Sequence, residues 1–335
     1  MKHLYPINLQ LFATQTTLLD QPGNDLSPEM KTYYDKRLID HAEPNLVYDQ
    51  FGDKKPIPRG SGKTIEFRKY SPLDKALTKL TEGVTPEGNK LNVTTIEATV
   101  DQYGDFIEIS DVLDLTAIDP NLEQATKLLG SQAGRTLDTI TREVVTAGTN
   151  VMYAPTADGT EILTRETIAA DSLLTVPLIY KAAAKLKKMN AVPIDDSFVA
   201  VVHPNVSCDF MISKDWVEVH KYATPENIYR GEIGRIGGVR FVESTEAKII
   251  GGAGAGGVSV YCTMVFAANA YGVTEVEGGG LQFIVKQLGS AGTADPLNQR
   301  ATTGWKSLKV AERLTEEYMV RIEHASTTDS MAESN

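Results

Sequence analysis

Residues 119–148 read DPNLEQATKLLGSQAGRTLDTITREVVTAG, and the reading of the whole chain turns on this stretch. Asp119 is a good N-cap, and Pro120 suits the first helical position, where its missing N–H costs nothing. Leu122, Ala125, Leu129, Ala133, Leu137, Ile140 and Val144 then recur at spacings of three and four, which predicts one apolar face along a helix. Gly148 suits the left-handed residue that ends many helices. About 28 residues at ~1.5 Å each give a rod of roughly 42 Å, more than twice the usual length in a globular protein. Gly130 and Gly134 share a face one turn apart and weaken the helix by up to ~1 kcal/mol each. A bend or the close approach of a strand explains them better than a ligand does.

Upstream, residues 59–112 carry strand signals. TIEFRKY (64–70) alternates Ile65 and Phe67 with polar residues. After about twenty polar, turn-rich residues comes NVTTIEATVDQYGDFIEISDVL (92–113), in which Val93, Ile96, Ala98 and Val100, then Phe106, Ile107 and Ile109, continue the pattern beyond Gly104. Together they predict a long β-hairpin. A two-stranded ribbon is marginal alone, and a connection of that length is usually functional, so a neighbouring molecule is expected to support it. Residues 1–58 are punctuated by Pro22, Pro28, Pro44, Pro56 and Pro58 and read as an extended arm. It holds one short helix capped by Ser27 that includes Met30, Tyr33, Tyr34, Arg37, Leu38 and His41. Its apolar start, MKHLYPINLQLFATQTT, is broken by Pro6, Asn8 and Gln10, so no signal-peptide core forms.

Downstream, residues 171–190 predict a second helix, capped by Asp171 or Thr175, with Pro177 early and Ile179, Ala182, Ala183 and Leu186 facing inward. SFVAVVHP reads as a buried strand and PNVSCDFMIS as the start of a helix. GGVRFVES, VSVYCTMVFAANAYGVTEV and LQFIVKQLG are strand candidates. GWKSLKVAERLTEEYMVRIEH (304–324) finishes the fold with Trp305, Val310, Ala311, Leu314, Met319, Val320 and Ile322. The ten residues from Ser326 are polar and read as a disordered tail.

The chain of 335 residues is 41% apolar and 23% charged, enough for a real core in two domains or one domain with arms. Its net charge of -11 argues against tight phosphate binding; Lys185, Lys187 and Lys188 form the densest basic patch. No apolar run approaches the ~20 residues that span a membrane. Cys208 and Cys262 sit in apolar settings and read as buried free thiols, in keeping with a reducing cytoplasm.

Sites for chemistry are weak. Gly60-Ser61-Gly62-Lys63-Thr64 looks like a phosphate loop, but the pattern needs a glycine where Ile57 stands and a helix where a strand begins. Residues 252–257, GAGAGG, formally match a dinucleotide fingerprint, yet a strand follows and not a helix, so they read as a loop between strands. His3, His41, His203, His220 and His324 have no metal-ligand spacing. His203 ends a strand, where α/β enzymes place catalytic residues, but a structural role before Pro204 is the better reading. The pairs Asp195-Asp196 and Glu316-Glu317 read as solvated. Asn92 and Asn205 match glycosylation sequons, which carry no meaning without a secretory signal. The expectation is no catalytic, cofactor-binding or metal residue and no cofactor.

The order of arm, hairpin, very long helix and mixed α/β region resembles the major capsid protein of tailed bacteriophages. NLQLFA (8–13), TIEFRKY, GDFIEISDVLDLT (104–116), VVHPNVSCDF (201–210) and GWKSLKVAERLTEEYMVRIEHAS (304–326) look most like the capsid family named after coliphage N-four. The resemblance implies an α+β, Hong Kong 97-type fold. Its parts would be an N-terminal arm (1–58), an extended loop (59–112), a spine helix with a peripheral domain (113–171), an axial domain (172–300), C-terminal strands of the peripheral domain (301–325) and a tail (326–335). Gly251–Gly257 would lie near the symmetry axes. It also implies a coat protein that self-assembles, as pentamers and hexamers, into an icosahedral head enclosing double-stranded DNA without reading its sequence. The virion would be built in the host bacterial cytoplasm, with scaffolding, portal or decoration proteins as further partners and no membrane. Some relatives cross-link a lysine of the extended loop; Lys75 and Lys79 stand in that region, but no partner is identifiable and no cross-link is expected. The rival readings are a tail or decoration component, and an α/β enzyme working near His203.

Overall fold

The computed structural model describes Thr16–Thr17 and residues 47–60, 62–70, 73, 75–77, 79–80, 82–85, 88–116, 121–214, 216, 234–274, 280–290, 295–328 and 334–335. The helix expected after Ser27 and the cap residues Asp119 and Pro120 lie outside them. In chain order the elements are β1 (Thr16–Thr17), β2 (Asp53–Lys54), β3 (Thr64–Tyr70), β4 (Val93–Thr99), β5 (Asp101–Ser110), α1 (Asp111–Thr116), α2 (Asn121–Thr146), β6 (Val151–Tyr153), α3 (Val176–Lys188), β7 (Phe198–Val202), α4 (Pro204–Ile212), β8 (Arg235–Ile236), β9 (Val239–Glu243), β10 (Ile249–Ile250), β11 (Val260–Phe266), β12 (Tyr271–Thr274), β13 (Gln282–Lys286), β14 (Arg300–Arg313) and β15 (Met319–His324).

The chain divides into two compact units. The first comprises residues 1–46, 102–137 and 278–309. In it β1 pairs in parallel with β5, β5 lies beside β14, and β13 pairs antiparallel with β14 from Gln282↔Lys306 to Lys286↔Thr302. Ala125 packs with Ile109 and Leu113, and Leu129 and Ala133 pack with Trp305, so these three residues of α2 bury the face that the periodicity predicts. Gly104 and Gly304 let two backbones touch. A Cβ on Gly104 would sit 2.6 Å from the Trp305 carbonyl oxygen, and one on Gly304 would sit 2.8 Å from that of Asp105.

The second unit, residues 47–101, 138–277 and 310–335, is built on a sheet ordered β6-β15-β11-β7-β9-β8, with β10 paired to β11. β7 and β11 are buried at every residue, which explains their continuous runs of Phe, Val and Met. α3 seals the sheet with Leu178, Ile179, Ala182, Ala183 and Leu186. Thr175 is its N-cap residue and Pro177 lies in its first turn, whereas Asp171 accepts a hydrogen bond from the Ala157 N–H outside the helix. In the same unit β3 and β4 form the antiparallel hairpin, from Thr64↔Thr99 to Tyr70↔Val93. β12 pairs with residues 310–313 of β14 on one side and with β2 on the other.

Four expectations change. First, the strand predicted from Val93 through Ile109 is two strands. β3 has seven residues, all matched by β4, so the chain beyond Val100 takes another partner, β14. Second, the arm does not extend to residue 58. Val47 and Tyr48 belong to a core cluster with Phe266 and Tyr271, and Ile57 is buried. The Tyr48 N–H donates to Asp138 at 2.9 Å and the Thr141 hydroxyl donates to Asp49 at 2.6 Å. The end of α2 therefore buries Asp138, Thr141 and Arg142, while Ile140 and Val144 are half-exposed. Third, Gly148 is not in the left-handed region. The last carbonyls of α2 are instead met by Arg321, which donates to the carbonyls of Thr146 and Gly148. Fourth, the tail is anchored at both described ends. Ser326 and Thr327 hydrogen-bond Asp209, and the Asn335 side chain bonds the backbone of Ala247 and Ile249.

Strand pairing also groups segments across the boundaries expected from sequence. β13 joins β14 in the first unit, and β15 and β6 share the sheet that holds β7 and β9.

Candidate functional site

The hairpin is the feature that a self-sufficient molecule would not need. Its root is fixed by Phe67, which is buried although its neighbours on β3 face water. The ring fits over Gly272, where a Cβ would lie 2.7 Å from it, and the Lys55 ammonium stands 5.4 Å from its centroid. Lys69 pairs with Glu317 at 3.6 Å beside a cleft of about 340 Å³ that Ile96 and Arg313 also line. The tip is the reverse. Leu73, Leu77, Leu80, Val84 and Leu91 are 60–84% exposed, five large apolar side chains within nineteen residues. Five such side chains on one connection form an exposed apolar cluster, where scattered single ones would be ordinary.

β13 is a second exposed apolar element. Phe283, Ile284 and Val285 all face solvent, and β14 is its one partner among the described strands. Ile284 and Lys286 line a cleft of about 500 Å³ with Phe106 and Trp305. A paired edge with apolar side chains on both faces is a template for another chain.

The motifs singled out from sequence carry no chemistry together. Gly60 and Gly62 have positive φ and lead into β3, and the Lys63 carbonyl accepts the Val100 N–H. Residues 252–257 join β10 to β11 and are pinned to Ile168, whose carbonyl accepts the Ala255 N–H at 2.8 Å. His203 caps α4, its Nδ1 accepting the Asn205 N–H at 3.2 Å, and Asn205 reaches the Tyr261 hydroxyl. Asp195 and Asp196 are exposed. Glu316 is not simply solvated: it accepts the N–H groups of Thr149 and Asn150 and pairs with Arg313. Cys208 is exposed, so only Cys262 is the buried thiol expected, and burial pushes its pKa up to about 12. Cys208 lies on α4 with one side toward water, which the apolar letters around it conceal. Lys75 and Lys79 are exposed. His3, His41 and His220 lie outside the described residues. Among the described residues no three His, Cys, Asp or Glu side chains could hold a metal ion, and no helix is long and apolar enough to cross a membrane.

Sequence reasoning missed a buried polar spine in β15. Glu323 is fully buried and accepts from Arg165 Nε at 2.8 Å, Arg165 Nη2 at 2.6 Å and Arg321 Nε at 2.8 Å. His324 beside it is also fully buried. Its Nδ1 donates to the Ala325 carbonyl at 2.9 Å, so Nε2 accepts from the Thr263 hydroxyl at 2.9 Å, and the ring is neutral. Burial lowers its pKa to about 4. The unfolded chain thus takes up a proton near pH 6.5 that the folded one refuses until about 4. Stability is full above pH 6.5, falls as the pH drops through that window, and is about 3 kcal/mol lower below it. Urea titrations of wild type and His324→Asn between pH 7 and pH 4 should show the wild type alone losing this increment; parallel slopes would refute it.

The α+β arrangement, with its β3–β4 hairpin, long helix and mixed sheet, is the Hong Kong 97-type fold of phage capsid proteins. The structure is similar to the "Capsid of Ralstonia phage GP4", with a TM-score of 0.71 at 13% identity, covering 89% of this chain and 96% of that one. It is similar also to the "Capsid structure of the Cyanophage P-SCSP1u", with a TM-score of 0.67 at 13% identity, covering 92% and 97%. The "Acidic stable capsid structure of Helicobacter pylori bacteriophage KHP30" aligns with a TM-score of 0.62 at 11% identity, covering 91% and 99%. No curated protein matches the sequence. The model of the family described as "Phage capsid protein" matches residues 93–312, more than half of the chain. The chain belongs to the phage capsid protein family and is a structural component of the virion.

Proposed function

We propose that this chain is the major capsid protein of a tailed phage of the N-four type and that it works by mechanical self-assembly, without a catalytic site or cofactor. Residues 1–46 serve as the arm, the β3–β4 hairpin as the extended loop and α2 as the spine. The first unit corresponds to the peripheral domain and the sheet of the second to the axial domain. Copies join as pentamers and hexamers in the host bacterial cytoplasm, with scaffolding, portal or decoration proteins as further partners. The finished shell encloses double-stranded DNA without reading its sequence.

The observation that carries this reading is the tip of the hairpin. Each leucine there leaves apolar area in water that would be worth ~2 kcal/mol if buried, and no described part of the subunit covers it. Holding those side chains against a neighbour costs conformational entropy, which the burial offsets. Replacing residues 71–92 by a two-residue turn between β3 and β4 should leave a soluble, folded subunit that forms no closed particles in negative-stain micrographs, while the full chain forms polyhedral ones. Normal shells from the shortened chain would overturn the reading.

A further inference from the structure

We propose that the outer face of α3 docks on the acidic segment 158–166 of a second copy of this chain, a head-to-tail contact that rests on the coat-protein reading. α3 carries Lys181, Lys185, Lys187 and Lys188 and no acidic residue. None of the four makes an ion pair with a described carboxylate. In a chain of net charge -11 this face is an exception. Lysines in a last turn favour the helix dipole, but Lys181 lies two turns earlier. Beside the lysines, Tyr180 is 48% exposed and Val192, just past the helix end, is 60% exposed.

The matching surface follows β6. Asp158, Glu161 and Glu166 are exposed there, and Arg165, the one cation of residues 155–171, is engaged by buried Glu323. In their midst Leu163 is 80% exposed. An exposed apolar side chain flanked in sequence by carboxylates thus fits exposed apolar side chains flanked by lysines.

The two patches are different surfaces over one sheet: α3 packs with Val265, Val320 and Ile322, while Ile162 and Ile168 hold the acidic segment against Val258 and Val260. The acidic segment leaves from β6, the first strand in the order β6-β15-β11-β7-β9-β8. The Tyr180 ring lies where a Cβ on Gly237 would be 2.7 Å away, in the turn between β8 and β9 at the far edge. Two unlike patches on one subunit make a heterologous contact, the kind that closes rings. A two-fold contact through the same patch would set lysine against lysine. Duplex DNA is another polyanion for the lysines, but a phosphate backbone gives Tyr180, Val192 and Leu163 nothing to bury against.

The test uses the full chain in three forms: Lys181→Glu with Lys188→Glu, Glu161→Lys with Glu166→Lys, and all four together. Particle yield is read by sedimentation and electron microscopy, folding by circular dichroism. Each pair alone should lower the yield about tenfold or more, less so as salt rises, and the four together should restore it to within about twofold. An equimolar mixture of the two pairs gives a second reading free of the quadruple variant's folding. The two can alternate around a six-membered ring but not a five-membered one, so the mixture should form flat or tubular arrays where neither alone does. Wild-type yields from both pairs overturn the contact, as does failure of both the quadruple variant and the mixture to recover. Loss of duplex-DNA binding with unchanged assembly overturns it in favour of a nucleic-acid face. A wild-type chain that forms no particles at all refutes the coat-protein reading itself.

Discussion

Replacing Glu323 with alanine is expected to destabilise the dissociated subunit by about 3–5 kcal/mol, because it leaves charge in the interior without a partner. Two guanidinium groups converge on that carboxylate, and they are not equivalent. The Arg165 side chain is 35% exposed and can recover water, whereas that of Arg321 is 11% exposed. Arg321 is also the group that meets the carbonyls at the end of α2, donating to Gly148 at 2.8 Å. The loss therefore reaches the helix terminus as well as β15. Arg321→Ala should accordingly cost more than Arg165→Ala, and Glu323→Gln, which keeps the volume and part of the hydrogen bonding, should fall between wild type and Glu323→Ala. Urea unfolding midpoints measure all four. A Glu323→Ala loss below about 1 kcal/mol, the range of exposed pairs, would show that this ion pair is ordinary.

Substituting Gly272 should disable assembly while leaving the sheet of the second unit folded. A methyl group at that position would stand 2.7 and 2.8 Å from two atoms of the Phe67 ring. Overpacking of this kind costs about 1–3 kcal/mol, and the cheapest relief is for Phe67 to leave. Phe67 is the buried anchor of β3, so its departure frees the hairpin from its root. Phe67→Ala reaches the same state by creating a void, at about 3–5 kcal/mol. The two changes together should be less damaging than their sum, since a methyl on residue 272 occupies space that the ring has vacated. Limited proteolysis between residues 71 and 92, with particle counts, reads both effects. Additive losses would mean that Phe67 and Gly272 do not share one site.

The parts that sequence made legible are those in which one rule dominates. The three- and four-residue spacing of Ala125, Leu129, Ala133 and Leu137 predicted the first half of α2, and alternation predicted β3 and β4. The second half of α2 escaped because most of its buried residues are polar, Val145 being the apolar exception. Asp138 and Thr141 satisfy Tyr48 and Asp49, ninety residues away in the chain, which no local period reveals. The break at Val100 escaped although the inward residues change phase there, from Ile96, Ala98 and Val100 to Tyr103, Ile107 and Ile109, as the pairing partner changes. Glu323 and His324 sit in MVRIEH, which reads as an ordinary half-exposed strand, yet both are fully buried since sheet and loop cover its two faces. The exposed leucines of the hairpin tip stood in plain view, diluted among lysines and threonines, and acquired meaning once no described residue proved to cover them.

The strap around Tyr48 has a consequence for processing. Its N–H is held by Asp138 and its carbonyl accepts the Tyr271 hydroxyl at 2.5 Å, so the peptide there is bolted to two distant elements. A protease that clipped the polypeptide anywhere before Val47 would remove a leader without loosening that bolt. The severed body would keep its hydrophobic plug, and maturation by cleavage would be mechanically silent on one side of the scissile bond.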